Sequence, residues 1–191
     1  MERNNLYPIF LKMQQLEILI VGGGYVALEK LSFLLKSSPD AKVTIVAPVF
    51  KKEIEQLASL YDISLITISY DKSFLVDKDL VIAATNRFLV NLQIYNDAKQ
   101  RNLLVNVADT PQYCDFYLGG IVTKGNVKIA ISTNGKSPTT AKRLRQFFEE
   151  VIPDDINLLV QNLNTYRNTL QGNFEEKVNK LNKITQTLIS K

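Results

Sequence analysis

Gly22, Gly24 and Ala27 stand at G-x-G-x-x-A spacing, directly behind the apolar run Leu16-Glu-Ile-Leu-Ile-Val21. A buried strand that ends in such a turn and opens a helix leaves backbone N–H groups bare at a positive helix terminus. That arrangement holds a pyrophosphate. Gly22 permits the tight turn, Gly24 keeps a Cβ out of the path of a dinucleotide, and Ala27 is the small residue where helix and strand close up. With Gly23 between the two key glycines, the N–H groups of Tyr25 and Val26 would face the pyrophosphate. The second residue that could do chemistry is Asp109, just past the run Leu103-Leu-Val-Asn-Val107. The chain holds no histidine, which removes imidazole acid–base steps, His-based triads and His metal sites. A carboxylate at a strand end is then the best remaining proton acceptor. An aspartate before Thr110-Pro111 also reads as a turn or N-cap residue, so the residues alone leave both roles open.

The elements that must position these groups follow from periodicity. Apolar residues at helical spacing predict a helix from Tyr25 to about Lys36, ended by Ser37-Ser-Pro-Asp40. Strands are predicted at Lys42–Val46, Ile63–Ile68, Asp79–Ala84 and Leu103–Val107, with helices over Phe50–Tyr61 and Asn91–Arg101 between them. Strands alternating with helices across short links mean a parallel doubly wound sheet, whose ligand crevice lies at the carboxyl ends of the strands. That gathers the glycine turn, Ala47-Pro48-Val49, Ala84-Thr85-Asn86 and Asn106–Thr110 around one cleft. Beyond Asp109 the pattern changes to a hairpin, Phe116–Val122 and Val127–Ser132. A helix to Val151 follows, with Ser137 as N-cap and Pro138 at its first position. After Pro153-Asp-Asp155 the remainder reads as helical, with Phe174, Val178, Leu181 and Leu188 on one stripe that suits a core or a partner.

Composition narrows the classes. The chain has 191 residues, 46% of them apolar, and a net charge of +4, as expected of one α/β domain with an appendage. No apolar run is long enough to span a bilayer. The start Met1-Glu-Arg-Asn-Asn5 is polar, and the short segment after it holds a proline and lacks a small-residue cleavage site, which reads against a secretory signal. Cys114 is the one cysteine, which fits a reducing cytoplasm and reads as a small packed thiol. Asp115 beside it reads as a surface or turn residue. Basic residues are interspersed with acids, so neither a nucleic acid nor a membrane is an expected partner. Lys136, Lys142, Arg143 and Arg145 form one local excess, suited either to an anionic small molecule or to an exposed helix face.

In order along the chain, Leu6-Tyr-Pro-Ile-Phe10, Val21-Gly-Gly-Gly-Tyr-Val-Ala27 with Lys30, Ile82-Ala-Ala-Thr-Asn86 with Asn91, Asn106-Val-Ala-Asp109, Cys114-Asp-Phe116 and Ile131-Ser-Thr-Asn-Gly-Lys-Ser-Pro138 with Ala141 and Arg145 resemble the siroheme-forming precorrin-2 dehydrogenases. Some members of that family are also sirohydrochlorin ferrochelatases. The resemblance runs from about Leu6 to Pro153. Three departures from the family pattern stand out: Gly119 replaces a proline, the C-terminal helical part diverges, and Thr133 replaces a serine while keeping the hydroxyl. The resemblance implies a Rossmann-type α/β domain over residues 1–112, a dimerisation segment of hairpin plus helix over 113–152, and a helical C-terminal domain over 153–191. It also implies a homodimer that oxidises precorrin-2 to sirohydrochlorin with NAD, and in some members inserts Fe2+, which is a substrate and not a resident metal. The family's key aspartate matches Asp109.

The cofactor would then contact Gly22, Gly23, Gly24, Tyr25, Val26, Pro48, Val49, Ala84 and Thr85. Many NAD sites carry an acidic residue near the end of the second strand for the ribose hydroxyls; Val46-Ala-Pro48 has none, so backbone groups must serve. Lys51 and Lys52 keep NADP open, and the family's habit favours NAD. Ser132, Thr133, Lys136, Ser137 and Arg145 form a polar loop and helix start that suits the carboxylates of a tetrapyrrole, or an ordinary capped helix. The competing reading is a non-catalytic NAD(H)-sensing module, which would have no need of Asp109. A different short-chain oxidoreductase would need a Tyr-x-x-x-Lys dyad.

Overall fold

The computed structural model describes residues 3–186, so Met1, Glu2 and Leu188 lie outside the described residues. The chain folds as two compact units: residues 1–119 with 132–136, and residues 120–131 with the segment from 137 onward.

The first unit is a five-stranded sheet in the order β3-β2-β1-β4-β5, with β1 Glu17–Val21, β2 Lys42–Val46, β3 Ile63–Ile66, β4 Leu80–Ala83 and β5 Leu104–Val107. All neighbours are parallel, and β1 is central: Ile18 pairs with Val43 on one side and Leu80 on the other. Helices α1 (Tyr25–Ser37), α2 (Lys52–Ala58) and α3 (Phe88–Gln100) connect the strands. The alternation of a strand sorts β1 onto two cores. Ile18 and Ile20 pack with Ala27, Leu31, Leu34 and Leu35 of α1. Leu19 and Val21 pack with Leu75 and with Ile94 and Ala98 of α3. A strand covered on both faces is apolar wherever it is covered: Ile18, Leu19 and Ile20 are fully buried, and the one charged residue, Glu17, stands at the partly exposed start. Each such side chain contributes about 1.5–3 kcal/mol by leaving water.

Several boundaries differ from the sequence expectation. The helix predicted over Phe50–Tyr61 spans only Lys52–Ala58, because Lys51 is an extended N-cap whose N–H donates to the Gly23 carbonyl at 3.0 Å. β3 ends at Ile66, since Ile68 N–H turns back to the Ile66 carbonyl. α3 begins at Phe88, three residues before the predicted start. The segment Phe116–Gly119, predicted as strand, instead follows a stretch that runs along the open edge of β5.

That edge is stitched by side chains. Asp115 N–H donates to the Val105 carbonyl at 2.8 Å, and its carboxylate accepts the Val105 N–H at 3.0 Å. Lys99 Nζ holds the same carboxylate at 2.8 Å. Cys114 Sγ accepts the Val107 N–H at 3.3 Å and donates to the Val107 carbonyl at 3.2 Å. Asn106, buried on β5, donates from Nδ2 to the Phe116 carbonyl at 2.8 Å. Asp115 is exposed, as expected, and also stands in for a strand neighbour. Cys114 is the packed thiol its surroundings implied.

The second unit holds an antiparallel hairpin, β6 Gly120–Lys124 and β7 Val127–Ile131, and helices α4 (Pro138–Val151), α5 (Ile156–Thr169) and α6 (Phe174–Thr185). The hairpin turns at Gly125, φ +58°. Asn157 of α5 accepts both the backbone and side-chain N–H of Asn126 at 2.8 Å, fastening helix to turn. Lys124 and Asp154 form an ion pair that holds the Asp154 carboxyl below its usual range. Ser137 caps α4 as predicted, accepting the Thr140 N–H at 3.2 Å. The C-terminal stretch breaks once, at Gly172 with φ +113°, before an Asn173–Glu176 capping box opens α6. Phe174 on its stripe is exposed, while Val178 and Leu181 are half-buried.

Replacing Asp115 with Ala strands the Val105 N–H and releases Lys99, so urea unfolding should show a loss of about 1–3 kcal/mol; no measurable change would refute the edge-partner role. Burial pushes the Cys114 thiol above its ordinary pKa. A group whose pKa is raised by folding adds stability below its unfolded pKa and loses it as pH rises through the folded value. Stability should therefore fall on the alkaline side in wild type, and less so in Cys114→Ser. Iodoacetamide should label the thiol slowly near neutral pH until urea is added.

Candidate functional site

The crevice opens where the central strands end. A cavity of about 700 Å³ lies there, within the usual range of small-molecule sites. Its walls are the turn after β1 (Gly22, Gly23, Gly24, Tyr25, Val26), the loop after β2 (Ala47, Pro48, Val49, Phe50, Lys51), Ser69 and Tyr70 beyond β3, Ala84 to Arg87 beyond β4, and Val90 and Gln93 of α3. All nine residues expected to touch a cofactor line this one cavity.

The three glycines do different work. Gly22 has φ +133°, and a Cβ there would lie 2.3 Å from the Ala84 carbonyl oxygen. A Cβ on Gly23 would lie 2.0 Å from the Val49 carbonyl oxygen. These two positions let the loops after β2 and β4 close against β1. Gly24 is different: a Cβ there would meet nothing within 4 Å. Its bareness serves no internal contact. It is the N-cap of α1 without any side-chain cap, and the first intrahelical bond runs from Leu28 N–H to its carbonyl. The N–H groups of the first turn therefore remain without an intrahelical acceptor, and the helix dipole adds positive potential there. A pyrophosphate fits this cradle.

On the β4 side, Thr85 is clamped by Asn91, a buried side chain at the start of α3. Asn91 Oδ1 accepts the Thr85 hydroxyl at 2.6 Å and the Thr85 N–H at 3.2 Å, and Asn91 Nδ2 donates to the Thr85 carbonyl at 3.1 Å. This closed exchange explains why α3 starts early and fixes the loop on the cavity wall. Tyr70 is set in a comparable way. Its hydroxyl donates to Asp97 at 3.0 Å, and burial first, then Asp97, pushes its pKa upward, so it stays a neutral donor. Tyr70, Val90 and Gln93 join the cavity without any sequence signal. They sit beyond a strand end and on a helix, where no motif marks them.

Asp109 lies at the carboxyl end of β5, exposed, in the left-handed region at φ +57°. Aspartate tolerates that conformation better than most residues. Ala108 N–H binds the Ala83 carbonyl at 2.9 Å, which ties the Asp109 turn to the end of β4. The segment Asn106–Thr110 is not among the residues lining the cavity; it borders β4 on the side away from β1.

Of the residues expected to meet a substrate, Ser132, Thr133 and Lys136 belong with the first unit, in a turn with Asn134 and Gly135 at φ +54° and +73°. Ser137 and Arg145 belong with the second, where Ser137 caps α4 and Arg145 pairs with Glu149. A Tyr-x-x-x-Lys spacing does occur, at Tyr95 and Lys99 of α3. Lys99 is bound to Asp115, and Tyr95 packs tilted against Tyr113 with centroids 4.8 Å apart, so the pair forms no short-chain oxidoreductase dyad. Among the described residues no group of three or more acidic or cysteine side chains could hold a metal ion, and no helix is long and apolar enough to cross a membrane.

The family model described as putative NAD(P)-binding matches residues 9–120, and the model described as sirohaem biosynthesis protein central matches residues 124–150. A siroheme synthase of Psychrobacter cryohalolentis is 38% identical over 168 residues, covering 88% of this chain and 32% of that protein. One of Pseudoalteromonas translucida is 40% identical over 171 residues, covering 90% and 34%. The chain thus spans about a third of the length of these curated relatives. Among solved structures, SirC, precorrin-2 dehydrogenase, has the same fold at a TM-score of 0.74 and 24% identity, over 94% of this chain and 89% of that one.

The glycines give a paired expectation. Gly24→Ala should leave stability within about 0.5 kcal/mol while weakening dinucleotide binding at least about tenfold, because its Cβ meets only the ligand. Gly23→Ala should lower the melting temperature sharply, because its Cβ meets backbone. Thermal melts and dinucleotide titrations read the two effects separately. Equal behaviour of the two variants would contradict the division of labour.

Proposed function

The chain belongs to the putative NAD(P)-binding family, and from that premise we propose that it oxidises precorrin-2 to sirohydrochlorin with NAD+ as hydride acceptor. The observation that carries the reading is the bare Gly24 at the uncapped start of α1, opening on a cavity walled by β1, β2 and β4, in a chain whose next segment matches a sirohaem biosynthesis model.

When bound, the nicotinamide ring supplies the hydride acceptor. The chain's own groups do the rest. Backbone N–H groups of Tyr25 and Val26 donate to the pyrophosphate. The clamped Thr85 and the Ala84 backbone wall the path toward β4. Pro48 and Val49 border the ribose, which must be held by backbone groups. Hydride departure leaves a proton on the tetrapyrrole, and Asp109 accepts it at the end of β5, where no imidazole competes. Ser132, Thr133 and Lys136 pair with substrate carboxylates through charge-assisted bonds. The same carboxylate of Asp109 suits removal of a pyrrole proton during Fe2+ insertion, in which iron is a substrate. The working form in this reading is a cytoplasmic homodimer, with the hairpin and α4 as its dimerisation segment. The alternative, a nucleotide sensor without catalysis, has in its favour that Asp109 stands outside the cavity walls.

Anaerobic mixing of the protein, NAD+ and precorrin-2 should produce NADH together with the sirohydrochlorin spectrum. Asp109→Asn should cut kcat by about 10²–10⁴-fold with dinucleotide affinity unchanged. Full turnover in that variant would remove the proton-acceptor role. Tight dinucleotide binding without any turnover by the wild type would establish the sensor instead.

A further inference from the structure

Resting on the reading of the chain as a precorrin-2 dehydrogenase, we propose that Phe88 and Leu89, at the start of α3, form the platform on which the flat face of the tetrapyrrole lies, and that the neighbouring Arg87 takes one of its carboxylates. A dinucleotide crosses a doubly wound sheet at the switch point, with one half on each side of the turn after the first strand. The cavity takes in the loops after β1, β2 and β3 and reaches, on the β4 side, Arg87 and Val90. The substrate must meet both the nicotinamide and Asp109, so it belongs at the mouth between the β4 loop and the β5 turn. Phe88 and Leu89 follow the β4 loop, between those two wall residues.

Phe88 is 54% and Leu89 77% exposed. Single exposed apolar side chains are ordinary; two side by side at the edge of a binding crevice mark a contact surface. The element that carries them is fixed. Thr85 Oγ1 accepts the Arg87 N–H at 3.2 Å, and the Arg87 carbonyl accepts the N–H groups of Val90 and Asn91 at 3.0 and 3.1 Å. The Phe88 ring is also braced from the β5 side. Its centroid lies 6.5 Å from that of Tyr113, tilted by 42°, and Tyr113 packs in turn on Tyr95 of α3. Tyr113 follows Asp109 on the same turn, its N–H donating to the Thr110 carbonyl at 3.0 Å. The ring pair therefore ties the platform to the turn that carries Asp109.

The charges suit the same occupant. The tetrapyrrole presents a flat apolar ring bordered by acetate and propionate carboxylates. The first turn of α3 holds no acidic residue, so nothing there repels them. Arg87 is exposed and has no carboxylate partner among the described residues, which leaves its guanidinium open to a bidentate pair. Two exposed side chains fall far short of the roughly 20–30 residues a side that a stable protein interface uses, but they match one face of a macrocycle.

Steady-state kinetics of the full chain, with precorrin-2 and NAD+ varied in turn, tests this. Phe88→Ser combined with Leu89→Ser should raise the KM for precorrin-2 about tenfold, while the KM for NAD+ moves less than about twofold. Phe88→Tyr keeps the ring and should hold the wild-type KM. Arg87→Gln should raise the precorrin-2 KM about fivefold and flatten its dependence on salt. Both platform side chains are exposed, so thermal melts should match the wild type. If the double variant melts early, Leu89→Ser alone carries the test, with an expected rise of about threefold. A wild-type KM for precorrin-2 in these variants, or a parallel rise in the KM of both substrates, would overturn the proposal while leaving the dehydrogenase reading intact. A wild-type KM joined to a change in sedimentation mass would overturn it too, and mark the patch as a contact between copies. Absence of NADH formation by the wild type would overturn the dehydrogenase reading, and the proposal with it.

Discussion

Two backbone carbonyls, those of Val49 and Ala84, press on the turn after β1 so closely that Gly22 and Gly23 have no room for a side chain. That crowding is the constraint on which the rest of the site depends. It brings the loops after β2 and β4 against the central strand from opposite sides, and so defines the crevice between them. It also frees Gly24 from any packing duty, which leaves the opening of α1 bare. The apolar run Ile18–Val21 of β1 follows from the same centrality: a strand flanked on both sides and covered on both faces admits a polar side chain only at its partly exposed start, Glu17.

The walls of the cavity are held by polar side chains that satisfy one another. Asn91 and Thr85 exchange three hydrogen bonds, and Tyr70 is fixed by Asp97 on the same helix. Among the described residues no buried side-chain nitrogen or oxygen lacks a partner. A buried polar group left unpaired costs about 1–3 kcal/mol, so such closed exchanges hold the loops at fixed geometry without straining the core. Preorganised walls of this kind lower the ordering cost of binding.

The alternation of strand and helix, the central position of β1 and the glycine turn are legible in the sequence because they rest on periodicity and on backbone sterics, both local along the chain. β2 matches its expected span to the residue. The early start of α3 is hidden because its cause, the Thr85–Asn91 exchange, involves side chains six residues apart. The shortening of α2 is hidden because Lys51 N–H is claimed by Gly23, far back in the chain. The stretch Phe116–Gly119 alternates like a strand, but the residues just before it are already committed to β5. In the site, the glycine and loop residues are readable from their motif, while Val90 and Gln93 of α3 and Tyr70 beyond β3 are not, since only the packing of α3 beside the strand ends brings them there. Asp115 escapes for a related reason: nothing in a sequence marks an aspartate that imitates a neighbouring backbone.

That imitation has a consequence for assembly. On β5, Val105 and Val107 turn their N–H and C=O groups outward, away from β4. Asp115 takes both groups of Val105, and Cys114 takes both of Val107. Open sheet margins recruit strands from other molecules, and proteins are pressed to blunt them. Here the blunting uses one backbone N–H, one carboxylate and one thiol from a single dipeptide in place of a sixth strand. The margin is thereby closed to cross-chain ladder growth, and the sheet ends at β5.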